Sequence, residues 1–372
     1  MGVIMLQKKL FDGTKVPAIW QGGAGIVGAN IQKQSKVWVE GIRFGCNAID
    51  TAERYGNGLS EQIVGETLKK VNRSDVFIAT KVAPENLSEL ELVHACKRSL
   101  KRLGTDYIDL YQIHWNNPLI PIELTLDTMM KLRNEGKIRY IGVCNFTLPQ
   151  IEQCNEILNG ELATVQVEYN LVNRLAERDI IPYCEEMGIL LLGYAPLNSG
   201  HFNYSNSVMK SIVRKNRRTA SQITLNWLTA KYNVSVLPKT SNLKHLIENA
   251  QSTDFELTDE DFCKIDDAYK KDIVKLKPSS ISVEHSIAGI EGNLSAYKTV
   301  EEAIENRFNQ SPSPSELAKE VKETKQLSKP IFVHYTDGQY ELASGSIRYW
   351  AWVIAFGMDT EIECIITHKE AS

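Results

Sequence analysis

The chain has no Cys-x-x-Cys pair, no long apolar run and no strong excess of either charge, and each absence argues against a class of function. Its seven cysteines are odd in number and scattered, which speaks against a disulfide framework and a zinc site and for reduced thiols. No metal is expected. No stretch approaches the roughly 20 apolar residues of a membrane helix, and no N-terminal apolar run has the form of a signal peptide. A cytoplasmic location without a membrane partner is therefore expected. The 42 basic and 46 acidic residues are interspersed and leave a net charge of −4, so no overall field favours nucleic acid or anionic lipid. The one short basic run, Arg214-Lys215-Asn216-Arg217-Arg218, reads as a solvated turn ahead of a helix rather than as a phosphate patch.

What is present is a long alternation of two patterns. The 372 residues suffice for two domains or for one large barrel with an appendage. A hairpin closed by Asp12-Gly13 is followed by a first apolar run, 16–20. Further apolar runs occupy 48–50, 76–82, 108–114, 138–143, 164–168, 189–194 and 234–238. Helix-period segments lie between them, at 31–44, 60–71, 88–103, 122–134, 148–158, 175–187, 219–231 and 243–250. Ser60 with Glu61, Ser88 with Glu91 and Thr147 with Gln150 are candidate helix caps. Continuous Ile/Leu/Val runs suit parallel strands buried on both faces. Eight such units predict an α/β fold of the (β/α)8 TIM barrel type.

Three of the strand-like runs end in polar groups of complementary chemistry. Asp50 ends the second run with Tyr55 five residues on, Lys81 lies at the end of the third next to Val82, and His114 ends the fourth. A phenol is a poor acid at neutral pH, and a neighbouring ammonium makes its proton easier to release. Lys81 can supply that charge, Asp50 can hold Lys81, and His114 can orient a carbonyl oxygen toward Tyr55 acting as general acid. Taken singly, each residue also reads as an ordinary loop or core group. The glycines of Gln21-Gly22-Gly23-Ala24-Gly25 fit either a backbone approached closely by a ligand or a plain flexible loop.

The quartet and its surrounding words, Asp-Thr-Ala-x-x-Tyr-Gly, Ala-Thr-Lys, Asp-Leu-Tyr-Gln-Ile-His-Trp and Gly-Lys-Ile-Arg-Tyr-Ile-Gly-Val-Cys-Asn-Phe, resemble the aldo-keto reductase family over about residues 5–269. That resemblance implies Asp50, Tyr55, Lys81 and His114 as the catalytic tetrad. With no flavin signature in view, a nicotinamide is the economical hydride donor. The resemblance implies Asn145 and Gln166 as carboxamide partners and Tyr194 as the stacking aromatic, with Gly22, Gly23, Pro196 and Leu197 also in the cofactor site. Cys144 stands where the family usually has Ser, a weaker hydrogen-bonding exchange. Lys239, Thr240, Ser241, His245 and Asn249 resemble the segment that grips the adenosine 2'-phosphate and the adenine. The family's Arg near His245 is missing, with Lys244 adjacent, so NADP(H) is favoured and NAD(H) stays open. Trp20, Trp115, Asn116 and Phe202 are candidates to line the substrate pocket.

About one hundred residues follow the point where the family usually ends. They read as an α+β unit, with domains expected at 1–270 and 271–372. Helices are expected at 300–308, 315–324 and 347–356, and strands at 330–335, 340–343 and 361–367. The run 340–349, with Gly345, Ser346 and Arg348, resembles the signature of the ParB/sulfiredoxin fold over about 273–368, in which a Gly turn and an Arg-bearing helix start bind nucleotide phosphate. Sulfiredoxins carry a catalytic Cys where Ser346 stands, so sulfinate repair is not expected. A nucleotide or phosphate ligand at this unit and a unit that only packs are weighed equally, and no basic stripe points to nucleic acid.

Two functions remain in view. The first is an NAD(P)H-dependent reductase of an aldehyde, ketone or sugar-like carbonyl. The second is a pyridine-nucleotide-sensing regulatory or scaffold protein acting through its C-terminal domain, which would not need all four tetrad groups. Oligomeric state is not legible in the sequence.

Overall fold

The structure is a computed structural model that describes residues 5–26, 28–200, 204, 206–269, 273–283, 297–310, 312–336 and 338–367. The chain divides into two compact units, one made up mainly of residues up to 270 and the other mainly of residues from 271 onward.

The first unit opens with an antiparallel hairpin, β1 (Gln7–Lys9) and β2 (Lys15–Pro17). Gly13, at φ 84°, turns its tip. The barrel strands follow: β3 (Gln21–Gly22), β4 (Ala48–Asp50), β5 (Phe77–Val82), β6 (Ile108–Ile113), β7 (Ile138–Cys144), β8 (Leu162–Glu168), β9 (Leu190–Tyr194) and β10 (Val234–Leu237). Each pairs in parallel with the next, in the order β3 to β10. A parallel bridge from Ile19 to Val236 brings the ends together, with Trp20 N–H on Val236 O at 2.9 Å and Gly22 N–H on Pro238 O at 3.1 Å. This is the (β/α)8 arrangement. Its helices are α1 (Ile31–Arg43), α2 (Leu59–Leu68), α3 (Glu89–Leu103), α4 (Ile122–Asn134), α5 (Leu148–Ile157), α6 (Ile180–Met187), α7 (Ser207–Asn216), α8 (Ala220–Thr229), α9 (Leu243–Ala250) and α10 (Asp259–Tyr269).

Strand periodicity places the site. Residues two apart share a face. Ala48, Phe77, Ala79, Leu110, Tyr140, Leu190 and Leu192 form one buried cluster. The same columns, read toward the strand C-termini, continue into Asp50, Lys81, Gln112, Cys144 and Tyr194. The interior is thus apolar at the hairpin end and polar at the C-terminal end, where barrels of this type carry chemistry.

Several local expectations need correction. The run 16–20 is not one barrel strand: Val16 and Pro17 pair in the hairpin, and the first barrel strand is Gln21–Gly22. The expected helix 175–187 breaks into a 3-10 turn and α6, because the Asp179 carboxylate caps the helix anew by accepting from Ile180 N. Helix α7 was not expected. It shows only Met209 and Ile212 as a buried face, and of the basic run 214–218 expected as a turn, residues 214–216 belong to the helix and Arg217 is its C-cap. Arg214 and Lys215 lie in its last turn, where cations suit the helix dipole. Arg217, at φ 53°, ends it, while Lys215 pairs with Asp261 at 2.9 Å and Arg218 with Asp254 at 3.0 Å. Ser60 caps nothing: the N-cap of α2 is Gly58, and the Ser60 hydroxyl donates to Gly23 O at 3.1 Å. Ser88 occupies the N-cap of α3 without a side-chain cap bond, whereas Thr147 and Gln150 form a capping box on α5.

The second unit contains β11 (Ile273–Leu276), β12 (Ile281–Ser282), α11 (Val300–Ile304), α12 (Pro314–Thr324), β13 (Ile331–Thr336), β14 (Gln339–Ser344), α13 (Ser346–Phe356) and β15 (Ile362–Thr367). The sheet order is β11-β15-β13-β14-β12, with mixed parallel and antiparallel pairs. Its core gathers Tyr297, Ile331, Val333, Leu342, Tyr349, Trp350, Val353 and Ile362. Trp350 donates its indole N–H to Tyr297 O at 2.8 Å. The arrangement is α+β.

Candidate active site

Asp50 ends β4, and Lys81 lies one residue before the end of β5. Both are almost wholly enclosed, at 3% and 0% exposure. Lys81 Nζ reaches both Asp50 carboxylate oxygens at 2.7 Å, Thr51 O at 3.0 Å and the Tyr55 hydroxyl at 3.3 Å. Burial opposes the Lys81 charge, but Asp50 foremost, with Tyr55 and Cys144, outweighs it and holds the ammonium above the ordinary lysine range. Lys81 is therefore a cation, with the Tyr55 hydroxyl the farthest of its four oxygen neighbours.

Tyr55 stands in the loop after β4, its ring edge-on to the His114 ring with centroids 5.6 Å apart. Its pKa is pushed up to about 12, with burial as the largest cause; Lys81 lowers it and Asp50 raises it. This corrects the expectation that Lys81 and Asp50 together depress it. Asp50 acts on Tyr55 through Lys81, which it positions, and the phenol keeps its proton at neutral pH. His114, 4% exposed, stacks on Trp115 with ring centroids 3.9 Å apart and 15° between planes. The structure thus brings all four expected catalytic groups to one place.

Behind them runs a chain of amides. Gln166 Nε2 donates to Asp50 Oδ1 at 2.9 Å. Because a carboxylate only accepts, this turns the Gln166 carbonyl oxygen the other way. There it meets the Cys144 thiol at 3.6 Å, a weak donor. Asn145, at φ 61°, donates to His114 O at 3.1 Å and accepts from the Tyr194 hydroxyl at 2.7 Å. Asn145, Gln166, Cys144 and Tyr194 therefore form one connected group beside the tetrad. Pro196 and Leu197 follow β9 directly, after Ala195 at φ 49°.

The other expected positions fall out differently. A Cβ on Gly22 would meet Leu237 O at 2.9 Å, and one on Gly23 would meet the Ser60 hydroxyl at 2.5 Å and Asp50 O at 2.8 Å. The chain's own packing already calls for glycine at both positions, and Gly22 also lines a small pocket with Thr240 and Asn249. Trp20 is fully buried, donates to Pro17 O at 2.8 Å, packs edge-on against Phe77 and lines the same small pocket with Gly22, Thr240 and Asn249. Trp115 and Asn116 are half-buried. Phe202 lies outside the described residues. Lys239, Ser241 and His245 are exposed around the start of α9, Thr240 Oγ1 accepts from Asn242 N at 3.0 Å, and Asn249 is buried.

Two residues went unread in the sequence. Gln112 is buried, accepts from Thr164 at 3.2 Å and reaches Asp50 at 3.5 Å. It lies two positions before His114, so strand periodicity could have found it. Glu53, between Asp50 and Tyr55, accepts from Ala83 N and Asn86 Nδ2, and no local signal marks it.

The aldo/keto reductase family profile matches residues 30–270. The chain belongs to the aldo/keto reductase family. Methylglyoxal reductase YeaE of Escherichia coli K12 is 34% identical over 71% of this chain and 96% of its own length. A glyoxal reductase of Bacillus subtilis is 33% identical over 73% and 96%. Among solved structures, the thermostable aldo-keto reductase Tm1743 in complex with the inhibitor epalrestat superposes with a TM-score of 0.68 at 36% identity, covering 71% of this chain and 99% of that one. An aldo-keto reductase from Klebsiella pneumoniae in complex with NADPH gives 0.67 at 31% identity, covering 71% and 96%. This aldo-keto reductase is an enzyme in which the barrel accounts for the similarity and residues after 270 lie outside the matched region.

Proposed function

We propose that the barrel reduces small aldehydes and ketones with NADPH, with α-dicarbonyls as the first substrates to try and sugar-like carbonyls next. The observation that carries this reading is the Tyr55, Lys81, Asp50 and His114 cluster, with Lys81 Nζ at 2.7 Å from Asp50 and 3.3 Å from Tyr55. The fit of a nicotinamide rests on Gln166, whose carbonyl oxygen holds only a long thiol contact at 3.6 Å and can take a carboxamide N–H. Asn145 and Tyr194 would complete that end. Exposed Lys239, Ser241 and Lys244 around the α9 N-terminus suit a 2'-phosphate. Bound there, the cofactor supplies the hydride. His114 orients the carbonyl oxygen, Tyr55 gives it a proton as charge develops, and Lys81 stabilises the phenolate left behind. Each turnover consumes one hydride and one proton and yields the alcohol.

The test is Tyr55→Phe. Loss of methylglyoxal-dependent NADPH oxidation with NADPH binding retained supports the enzyme. Unchanged turnover sinks it, and no turnover in the unmodified chain with strong NADPH binding would favour the nucleotide-sensing alternative.

The same reading extends to the second unit as a ParB/sulfiredoxin-like module, domain 271–372, holding a phosphate or nucleotide. Its support is local: Gly345 at φ 96° opens the eleven-residue α13, and the Ser346 hydroxyl at its first turn is buried without a hydrogen-bond partner. Arg348 lies beside Gly345 and donates to Pro330 O at 2.6 Å. Thermal shift with ATP and CTP tests it. A response abolished by Arg348→Ala supports the site, and no response to either nucleotide or to inorganic phosphate removes it.

A further inference from the structure

We infer that Glu53 is a positioning residue for proton transfer, its carboxylate clasping the loop that carries Tyr55 onto the strand end that carries Lys81. Ladder bonding between the two segments runs out just here. Thr51 N–H reaches Ala79 O at 2.8 Å and Glu53 N–H reaches Lys81 O at a longer 3.3 Å. Past that point the loop's own backbone bonds are local, with Tyr55 N–H on Ala52 O at 3.1 Å and Ser60 N–H on Tyr55 O at 3.3 Å, and side chains tie it to the segment after β5. Glu53 Oε1 accepts from Ala83 N at 2.7 Å and from Asn86 Nδ2 at 2.9 Å. These donors open and close the 3-10 turn Pro84–Asn86, whose N-cap is Ala83. Glu53 lies two residues before Tyr55, and Ala83 lies two after Lys81, so the clasp is a short and enclosed tie between the two groups that must meet; the exposed pair of Arg54 with Glu85, in the same 3-10 turn, is a second and more solvent-screened one.

The contact it governs is the loosest of Lys81's four. Tyr55 stands at 3.3 Å, against 2.7 Å for Asp50 and 3.0 Å for Thr51 O. Asp50 and Thr51 meet Lys81 from the end of β4, where the ladder with β5 still holds, while Tyr55, farther along the same segment, depends on where its loop rests. Glu53 acts by hydrogen bonding more than by charge. Its other oxygen is 3.9 Å from Arg98, which is 46% exposed and therefore screened. An uncharged oxygen acceptor should accordingly serve.

This inference rests on the carbonyl-reductase reading, and the full chain tests both separately. In steady-state reduction of methylglyoxal with NADPH, Glu53→Ala lowers kcat on the order of a hundredfold, the scale of loss for a displaced catalytic group. It leaves KM and the NADPH Kd within about twofold and enlarges the solvent isotope effect on kcat, because proton transfer becomes slow. Glu53→Gln, which keeps an acceptor oxygen, restores most of kcat. A Glu53→Ala kcat within about twofold of the parent overturns the inference. So does a Glu53→Gln variant as slow as Glu53→Ala. Should Glu53→Ala fail to bind NADPH, Asn86→Ala replaces it, with a smaller fall in kcat expected and an unchanged kcat overturning. If the parent chain reduces nothing, the reading of function fails, and amide exchange still decides the clasp. Exchange at Ala83 and across 51–58 must rise in Glu53→Ala and not in Glu53→Gln, and unchanged exchange overturns it.

Discussion

Asp50 holds Lys81 with both carboxylate oxygens at 2.7 Å, and water reaches almost none of either side chain. A buried pair of this kind is costly to break from one side, since the orphaned charge stays enclosed; the scale is about 3–5 kcal/mol. Lys81→Met and Asp50→Leu should each destabilise the barrel, and the double variant should be less destabilised than the sum of the two. Denaturant unfolding measures the cycle, and additivity would refute the coupling. The pH dependence has a definite sign. The Lys81 value is raised in the fold, so its contribution is fully present below about pH 10, where an unfolded lysine titrates, and is lost only as pH climbs through the higher folded value.

Tyr55 gives a second pH prediction. Burial lifts its pKa to about 12, above the roughly 10 of an unperturbed phenol. As a general acid it must be protonated, so carbonyl reduction should show no alkaline fall in kcat/KM from this group up to about pH 10. Lys81→Met removes the one favourable charge and should lower kcat by about a hundredfold or more. An alkaline limb near pH 8 that vanishes in Lys81→Met would mean that the lysine has pulled the phenol below its ordinary value, contrary to this account.

The barrel was legible because parallel strands are written as local apolar runs. Runs such as 77–82 and 108–113 are buried along their whole length, so composition alone marks them. The tetrad was legible for the same reason, since each member sits at or just after such a run. What escaped depends on partners distant in sequence. Ser60 reads as a cap until Gly23 takes its hydroxyl. Helix α7 hides because two buried residues make a thin apolar face. The Asn206 side chain, which accepts from Met209 N, was the available signal for it. In the second unit the αL residue Gly345 stands at the expected glycine turn, because glycine announces positive φ directly.

Glu61 is buried outright, yet no chemistry is assigned to it. It accepts from Thr80 Oγ1 at 2.6 Å and from Arg102 Nε at 2.5 Å, tying α2 to β5 and α3. Arg102→Ala leaves a carboxylate enclosed and should cost about 3–5 kcal/mol, a fall in Tm on the order of 10 °C for a barrel of this size. KM and the NADPH Kd should stay within about twofold in the folded protein. A variant with parental Tm, or one with normal Tm and lost binding, would contradict a purely structural role.

Gln166 and Gln112 both reach Asp50, at 2.9 and 3.5 Å, but only Gln166 belongs to the group proposed to meet the nicotinamide. Replacing each with Leu separates the two duties. Gln166→Leu removes an acceptor for the carboxamide and should weaken NADPH binding about tenfold, the equivalent of one hydrogen bond of about 1.4 kcal/mol. Gln112→Leu should leave the NADPH Kd unchanged. It frees the Thr164 hydroxyl from its 3.2 Å bond and loosens one long contact to Asp50, so its effect belongs in kcat and in stability. Fluorescence titration of both variants decides the matter. Equal weakening would mean that the amides act through the barrel interior as a unit, and weakening by Gln112→Leu alone would displace the proposed carboxamide site from Gln166.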